Sequence, residues 1–198
     1  ELALREGDHR IKNSLQVVAS MMGMQERRET NAAARGALHA AAARIQAVAR
    51  MHDALQLNGS ADAVNLGALI EKMCTSLHEM AGDPHRMQIV VNAEAIEAPI
   101  AMAQPLMLAI NEMVVNALRH AFPGERAGTI AVSLERINGE LRVVVVDDGI
   151  GLPAGHARSG GFGMKLVHMM AAKVGGELRM ESVNGARLLL SVPYAPGA

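Results

Sequence analysis

Apolar residues recur at helical spacing through the first part of the chain, up to residue 55. The first stripe, with steps of seven, four, three and four residues, consists of Leu4, Ile11, Leu15, Val18 and Met22. Polar residues at 27–31 interrupt it, and a second stripe follows, made of Leu38, Ala41, Ile45, Val48, Met51 and Leu55. Two amphipathic helices joined by a short polar turn predict an antiparallel hairpin. One hairpin cannot bury both faces, so the pattern favours a four-helix bundle made by two copies, or a monomer whose second domain covers the stripe.

A different pattern begins after residues 57–65, where Gly, Ser, Asp and Asn predict a linker. Helices are predicted over about 66–81, 103–120 and 163–174, and strands at 87–92, 176–183 and 186–192. Two further β-rich runs flank Asn138-Gly139, and a second Asn-Gly pair stands at 184–185; both pairs predict hairpin turns. The predicted fold is α+β: a helical hairpin domain at 1–58, then at 64–198 an α/β sandwich whose mixed, mainly antiparallel sheet has helices on one face.

The composition excludes some classes of partner and site but says little about the fold. The formal net charge is −1, which provides no field for nucleic acid. A single cysteine, Cys74, excludes an intrachain disulfide and a cysteine zinc cluster, and its apolar neighbours predict a buried thiol. No apolar run approaches the ~20 residues of a membrane span. The chain starts at Glu1 inside a predicted helix, so we expect a region preceding it that is missing from this sequence.

Polar residues at intervals of four mark the predicted helix in NEMVVNALRHAF, residues 111–122. Glu112, Asn116 and His120 share one helical face at this spacing. An asparagine oxygen is a suitable neutral ligand for Mg²⁺ that is held mainly by phosphates and water, and a glutamate one turn away can orient or deprotonate a reacting group. A solvated polar face would show the same spacing.

Two glycine-containing stretches follow. In VVVVDDGIGLP, residues 143–153, an apolar strand runs into two aspartates and a Gly-x-Gly turn, where a carboxylate can accept a hydrogen bond from an exocyclic amine; an ordinary Asp-Gly turn is the alternative. In SGGFGMKLV, residues 159–167, a glycine cluster opens a helix whose free N–H groups can bind phosphate, with Lys165 adding a charge. The spacing is not that of a P-loop.

In this order, N-E-x-x-x-N, D-x-G-x-G and G-x-G at a helix start resemble the GHKL ATP-binding fold of histidine kinases, gyrase and MutL, over roughly residues 64–193. The resemblance implies Asn116 as the Mg²⁺ ligand and Asp147 as the carboxylate that reads adenine. The other nucleotide-binding residues it implies are Gly149 and Gly151 at the purine, Gly161, Phe162, Gly163, Met164 and Lys165 at the phosphates beside a lid near 153–162, and Asn111, Arg119 and His120 on the phosphate side. One departure is Gly185-Ala186, where the family often has Gly-Thr, so the hydroxyl that supports the adenine contact is missing or replaced by water.

The start of the chain adds a second resemblance. DHRIKNSLQVV at 8–18, followed by RIQAVARMHDAL at 44–55, is similar to the phospho-acceptor and dimerisation hairpin of histidine kinases of the HisKA-2 type, close to the HWE kinases. HWE kinases are named for a tryptophan-containing box, and this chain has no tryptophan, so the plain HisKA-2 type fits better.

His9 has the chemistry of a phosphate acceptor. A neutral imidazole is a competent nucleophile near pH 7, because its ordinary pKa is about 6.5. Asp8 can fix the tautomer or accept the proton, although adjacent helix residues do not face each other. Asn13 shares the face of His9 at i+4 and can position a water or an acyl phosphate, while Arg10 and Lys12 can neutralise the transferred group.

Together the resemblances imply the cytoplasmic catalytic core of a sensor histidine kinase. It would use ATP and Mg²⁺ to phosphorylate His9, pass the phosphoryl group to a response-regulator aspartate, act as a homodimer through the hairpin, and follow an N-terminal sensor domain. Two alternatives stay open at this point. One is a GHKL serine kinase of the anti-sigma type, which needs no histidine-bearing hairpin, and the other is a non-catalytic dimeric phosphotransfer or docking module.

Overall fold

The computed structural model describes residues 15, 17–32, 34–38, 41–42, 45, 49, 63–80, 86–152 and 162–195. The chain divides into two compact units, Glu1–Ala61 and Asp62–Ala198. This division falls within the predicted linker at 57–65.

The described part of the first unit is helical. Helix α1 covers 17–28, helix α2 covers 34–38, and the described residues 41, 42, 45 and 49 are also helical. Between them the chain leaves the helix at 29–31, where the polar run predicts a turn, and the Asn31 side-chain oxygen caps α2 by accepting from the Ala34 N–H at 3.1 Å. The predicted helical N-terminal part is thus confirmed. The antiparallel pairing of two long helices stays a prediction, because most of residues 39–62 lie outside the described residues.

The second unit is a mixed sheet with helices. Its elements are β1 (Ala63–Asn65), α3 (Leu66–Met80), β2 (Met87–Ala93), β3 (Glu97–Pro99), α4 (Ile100–His120), β4 (Gly128–Ile137), β5 (Glu140–Asp147), α5 (Phe162–Lys173), β6 (Glu177–Ser182) and β7 (Ala186–Pro193). The main sheet has the order β2-β4-β5-β7-β6. Only the β2–β4 pair is parallel, and the other three pairs are antiparallel. The predicted mixed, mainly antiparallel sheet is confirmed.

A small second sheet was not predicted. Strands β1 and β3 form an antiparallel pair, so the assignment of residues 63–65 to the linker is wrong. Three-residue strands are too short to show an alternating pattern. The polar residue that suggested a linker, Asn65, has a structural function: its side-chain oxygen accepts from the Ala68 N–H at 2.9 Å and caps the first turn of α3.

The Asn-Gly pairs form the predicted hairpin turns. Asn138 and Gly139 have φ of 52° and 78°, the left-handed conformations of a type I′ turn, and Ile137 pairs with Glu140 across it. Asn184 and Gly185 also have positive φ, 52° and 122°. The second turn links Ser182 to Ala186, and Ala186 lies beside the end of β5.

The core lies on one face of the sheet. Alternate side chains of β4, β5 and β7 are buried, namely Ile130, Val132, Leu134, Leu141, Val143, Val145, Leu188, Leu190 and Val192. Helices α3 and α4 contribute buried residues such as Ile70, Ile110 and Met113. Burying each such side chain stabilises the fold by about 1.5–3 kcal/mol. Cys74 on α3 is part of this core, and burial raises the pKa of its thiol to about 12.

Helix α4 corrects one expectation. Among the described residues it is long and apolar enough, by length and composition alone, to cross a membrane, although the sequence suggested no run of that length. Eleven of its residues are buried within the second unit. That burial is the pattern of a core helix.

Candidate functional site

Helix α4 brings polar side chains into the interior of the second unit. Glu112 is 1 % exposed, so the interpretation as a solvated face is wrong for this residue, and Asn111 beside it is 7 % exposed. Asn116, one turn further, is half-buried, and Arg119 and His120 are exposed in the last turn. Buried carboxyl and amide groups destabilise a fold unless they have partners or a ligand. Along α4, the polar side chains thus change from buried at Asn111 and Glu112 to exposed at Arg119 and His120.

Asp147 ends β5 and is held in a fixed orientation. Its Oδ1 accepts two backbone hydrogen bonds, from Gly149 N–H at 3.0 Å and from Ala186 N–H at 3.1 Å. The residue is 4 % exposed. Within the described part of the chain both bonds to this carboxylate end on Oδ1, so Oδ2 keeps its lone pairs for a donor from a ligand. This geometry fits a carboxylate that recognises an exocyclic amine.

Ala186 takes part through its backbone. The side chain at this position has no hydroxyl, as the sequence indicates, yet the N–H group of Ala186 reaches Asp147 directly. The orientation of the carboxylate therefore does not depend on a threonine at position 186.

Glycines allow the loop after β5 to pack closely. A Cβ atom on Gly149 would overlap the carbonyl oxygen of Ala121, the residue that follows α4. The next residue, Ile150, donates its N–H to that same carbonyl at 3.0 Å. Gly151 and Gly185 both have positive φ, 78° and 122°, and a Cβ atom on Gly185 would overlap the Asp147 carbonyl. Glycine is required here by close approach as well as by conformation.

A second set of contacts holds the loop from the side of β4. Asp148 accepts the Thr129 N–H on Oδ1 at 2.8 Å, and the Arg126 guanidinium donates to the Asp148 carbonyl at 2.6 Å. Sequence reasoning missed Arg126 and Thr129. No local signal marks them, because only the pairing of β4 with β5 brings them to the loop.

The start of α5 lies against α4. The side-chain N–H₂ of Asn116 donates to the Met164 sulfur at 3.3 Å, which leaves Oδ1 of Asn116 as its acceptor atom for a cation. Gly163 and Met164 are buried, and Lys165 is exposed. Ala121 contacts the loop after Asp147, and Asn116 contacts Met164 at the start of α5. The described parts of the three predicted motifs therefore lie together at the C-terminal half of α4.

Several predicted site residues lie outside the described residues. They are His9, Asp8, Asn13, Gly161 and the lid up to 161, while Phe162 is the first residue of α5. Among the residues that the structure does describe, no group of three or more His, Cys, Asp or Glu side chains is placed to hold a metal. A cation here would depend on Asn116 and on groups of the nucleotide.

Two family models match consecutive parts of the chain. The model described as histidine kinase matches residues 6–81. The model described as histidine kinase-, DNA gyrase B-, and HSP90-like ATPase matches residues 102–196.

Two histidine kinases and one solved histidine kinase domain are similar to this chain. The sensor histidine kinase PdtaS of Mycobacterium tuberculosis is 34 % identical over 98 % of this chain, which spans 40 % of that protein. The blue-light-activated histidine kinase 2 of Erythrobacter litoralis is 27 % identical over 89 % of this chain and 52 % of its own length. The solved histidine kinase domain of the Erythrobacter litoralis EL346 blue-light activated histidine kinase has the same fold, with a TM-score of 0.73 over 91 % of this chain and 95 % of that one, at 22 % identity.

The fold and the matches define an ATP-binding domain of the histidine kinase, gyrase B and Hsp90-like type, preceded by a histidine kinase helical region. The chain therefore combines the helical region and the ATP-binding domain of histidine kinases, and both resemblances found in its sequence are confirmed. It spans about 40 % of the length of its PdtaS relative.

Proposed function

We propose that this chain autophosphorylates His9 from ATP and passes the phosphoryl group to an aspartate on a response-regulator receiver domain. The observation that carries the proposal is the Asp147 carboxylate, fixed by two backbone N–H groups with one oxygen left for a ligand. The histidine kinase match over residues 6–81 favours this activity over a serine kinase or a docking module. We place the core in the cytoplasm, where ATP and receiver domains are found, and after a sensor domain.

Nucleotide recognition is assigned to the described residues. Asp147 Oδ2 would accept a hydrogen bond from the exocyclic amine of adenine, and Asn116 would hold Mg²⁺ through Oδ1. Mg²⁺ would supply charge neutralisation at the transferring phosphoryl group. Lys165 and Arg119 are exposed near the motifs they belong to and add positive charge toward the phosphates. Glu112 is assigned to orienting or deprotonating the reacting group.

His9 is assigned as the acceptor on its sequence context. An imidazole nitrogen forms a bond to the γ-phosphorus as the bond from that phosphorus to the bridging oxygen of ADP breaks, and ADP leaves. The proton of the attacking imidazole passes to a base, for which Asp8 is adjacent. Most of the rate enhancement comes from positioning and charge neutralisation. Asn13 is assigned to positioning at the acceptor face.

A homodimer is supported by an apolar surface on α1. Val17, Val18, Met21 and Met24 are between 41 % and 57 % exposed, and their spacing of one, three and three residues places them on one side of the helix. A contiguous exposed apolar surface of this kind marks an interface. We infer that two copies pair through it.

Incubation with γ-labelled ATP and Mg²⁺ tests the kinase. We expect a label that is lost in acid and retained in alkali on the wild-type chain, and no label on His9→Gln at unchanged ATP affinity. An acid-stable label would indicate a serine kinase instead. A wild-type chain that binds ATP without labelling, alone or with its sensor region restored, would contradict the proposed activity.

A further inference from the structure

We propose that Ser182 is a positioning residue for recognition of the nucleotide base: its hydroxyl joins the β6–β7 turn to the loop after β5 and so fixes the orientation of Asp147. This inference rests on the proposed function, because it concerns the carboxylate assigned to the adenine amine. Ser182 carries no chemistry of its own and acts through the backbone.

The Ser182 hydroxyl bonds to two separate segments. Its Oγ accepts the Leu152 N–H at 3.1 Å, and it donates to the Gly185 carbonyl at 3.3 Å. Leu152 belongs to the loop that starts at Asp147, and Gly185 belongs to the turn that leads into β7. One hydroxyl therefore links the loop to the turn beside it.

Both linked segments hold the carboxylate. The residue after Gly185 is Ala186, whose N–H donates to Asp147 Oδ1 at 3.1 Å. On the loop side, Gly149 donates to the same oxygen at 3.0 Å. A shift of the turn relative to the loop would therefore separate the two donors that orient Asp147.

The fit between the segments is tight at the point where Ser182 lies. A Cβ atom on Gly151 would overlap the Ser182 Oγ and would meet the Gly185 carbonyl oxygen at 3.2 Å. Gly151 also has φ of 78°, which an L side chain rarely adopts. A glycine at position 151 thus allows the close packing in which Leu152 N–H bonds to this hydroxyl.

Removing the hydroxyl affects the base contact more than the fold. Ser182 is exposed, so water can reach the Leu152 N–H when the hydroxyl is absent, and the Gly185 carbonyl keeps the hydrogen bond from the Val183 N–H at 3.1 Å. What is lost is the restraint on the turn. A hydrogen bond of this kind has a net value that corresponds to about threefold to tenfold in affinity. Because Asp147 is assigned to the exocyclic amine, the affinity for ATP should fall, and the affinity for a purine nucleotide without this amine should not change.

The test is equilibrium competition binding with ATP and with purine riboside 5′-triphosphate, which has no exocyclic amine. The variants are Ser182→Ala, Ser182→Thr and, as a matched control, Ser133→Ala on the outer face of β4. We expect Ser182→Ala to bind ATP about threefold to tenfold more weakly and to bind the amine-free nucleotide as the wild type does. Ser182→Thr retains the hydroxyl and should restore the preference for ATP, and Ser133→Ala should not change it.

Two results would overturn the inference. Equal weakening of both nucleotides by Ser182→Ala would show a general structural role, and unchanged binding of both would show no role. Asp147→Asn, measured in parallel, separates this failure from failure of the proposed function. If Asp147→Asn loses the preference for ATP and Ser182→Ala keeps it, only the inference on Ser182 is wrong; if Asp147→Asn also keeps it, the base-reading assignment is wrong and the inference falls with it.

Discussion

Asparagine and alanine at position 147 should separate the structural role of this side chain from its role in binding. In the wild-type chain, Oδ1 accepts hydrogen bonds from Gly149 and Ala186, both buried. Asp147→Ala leaves these two N–H groups without an acceptor, at about 1–3 kcal/mol each, so we expect a loss of about 2–6 kcal/mol in the free energy of unfolding. Asp147→Asn retains an oxygen for both, and it should cost only about 1–2 kcal/mol because neutral bonds replace charge-assisted ones.

Nucleotide affinity should follow a different order. When the asparagine oxygen takes the place of Oδ1, its N–H₂ group takes the place of Oδ2 and faces the adenine amine as donor to donor. The lost hydrogen bond to a charged group is worth about 1.5–3 kcal/mol, or roughly 10- to 150-fold in affinity for ATP. Asp147→Asn should therefore be more stable than Asp147→Ala and still fail to bind ATP well.

Urea unfolding followed by circular dichroism gives the stabilities, and isothermal titration calorimetry gives the affinities. Asp148→Asn is the matched control, because this neighbouring carboxylate is exposed and accepts a backbone N–H of its own, from Thr129. It should leave ATP affinity within about twofold. Wild-type ATP affinity in Asp147→Asn, or equal stability of Asp147→Ala and Asp147→Asn, would contradict these two roles of Asp147.

Three further predictions concern the turn, the core and the helical surface. Gly185→Ala should destabilise the second unit by about 1–3 kcal/mol and weaken ATP binding, because φ is 122° and a Cβ would overlap the Asp147 carbonyl. The control is Gly124→Ala, where φ is 67° and no atom lies near the added Cβ; it should leave ATP binding unchanged. Burial raises the pKa of Cys74 from 9.0 to about 12, so between these pH values the folded thiol keeps a proton that the unfolded thiol loses. The free energy of unfolding from urea titrations should therefore fall as the pH rises through this range, by at most about 1.4 kcal/mol per pH unit. In Cys74→Ala it should fall less steeply. Val17 and Met21 are 57 % and 56 % exposed, so the double substitution Val17→Glu and Met21→Glu should shift sedimentation from dimer to monomer without loss of helix content.

Each of these has a result that contradicts it. For the turn, it is Gly124→Ala and Gly185→Ala having the same effect on ATP binding. For the core, it is a Cys74→Ala variant whose stability depends on alkaline pH as strongly as that of the wild type. For the surface, it is a wild-type chain that sediments as a monomer, or a doubly substituted chain that stays a dimer.

Local signals in the sequence were sufficient for much of the fold. The two Asn-Gly pairs predicted hairpin turns because left-handed φ values select these residues, and long periodic stretches predicted α3, α4 and α5. The short strands β1 and β3 were missed, since three residues show no period. Residues 63–65 were assigned to a linker for the same reason.

The candidate site was predictable in its motifs but less so in its contacts. Asp147 and Asn116 stand in recognisable patterns, which the sequence shows directly. The contacts that orient them are long-range: Ala186 is 39 residues from Asp147, and Met164 is 48 residues from Asn116. Arg126 and Ser182 also reach the loop through strand pairing and turn packing, which no local pattern encodes.

ATP bound at Asp147 should phosphorylate His9, and mapping the phosphate on the chain measures this transfer. After incubation with ATP and Mg²⁺, trypsin digestion at neutral to alkaline pH releases residues 6–10, which contain His9, and mass spectrometry locates the phosphate among the chain's 8 histidines. We expect the phosphate on His9 alone in the wild type and on no residue in Asp147→Asn at ATP concentrations that saturate only the wild type. Phosphate on another residue, or wild-type levels on His9 in the Asp147→Asn variant, would contradict the claim.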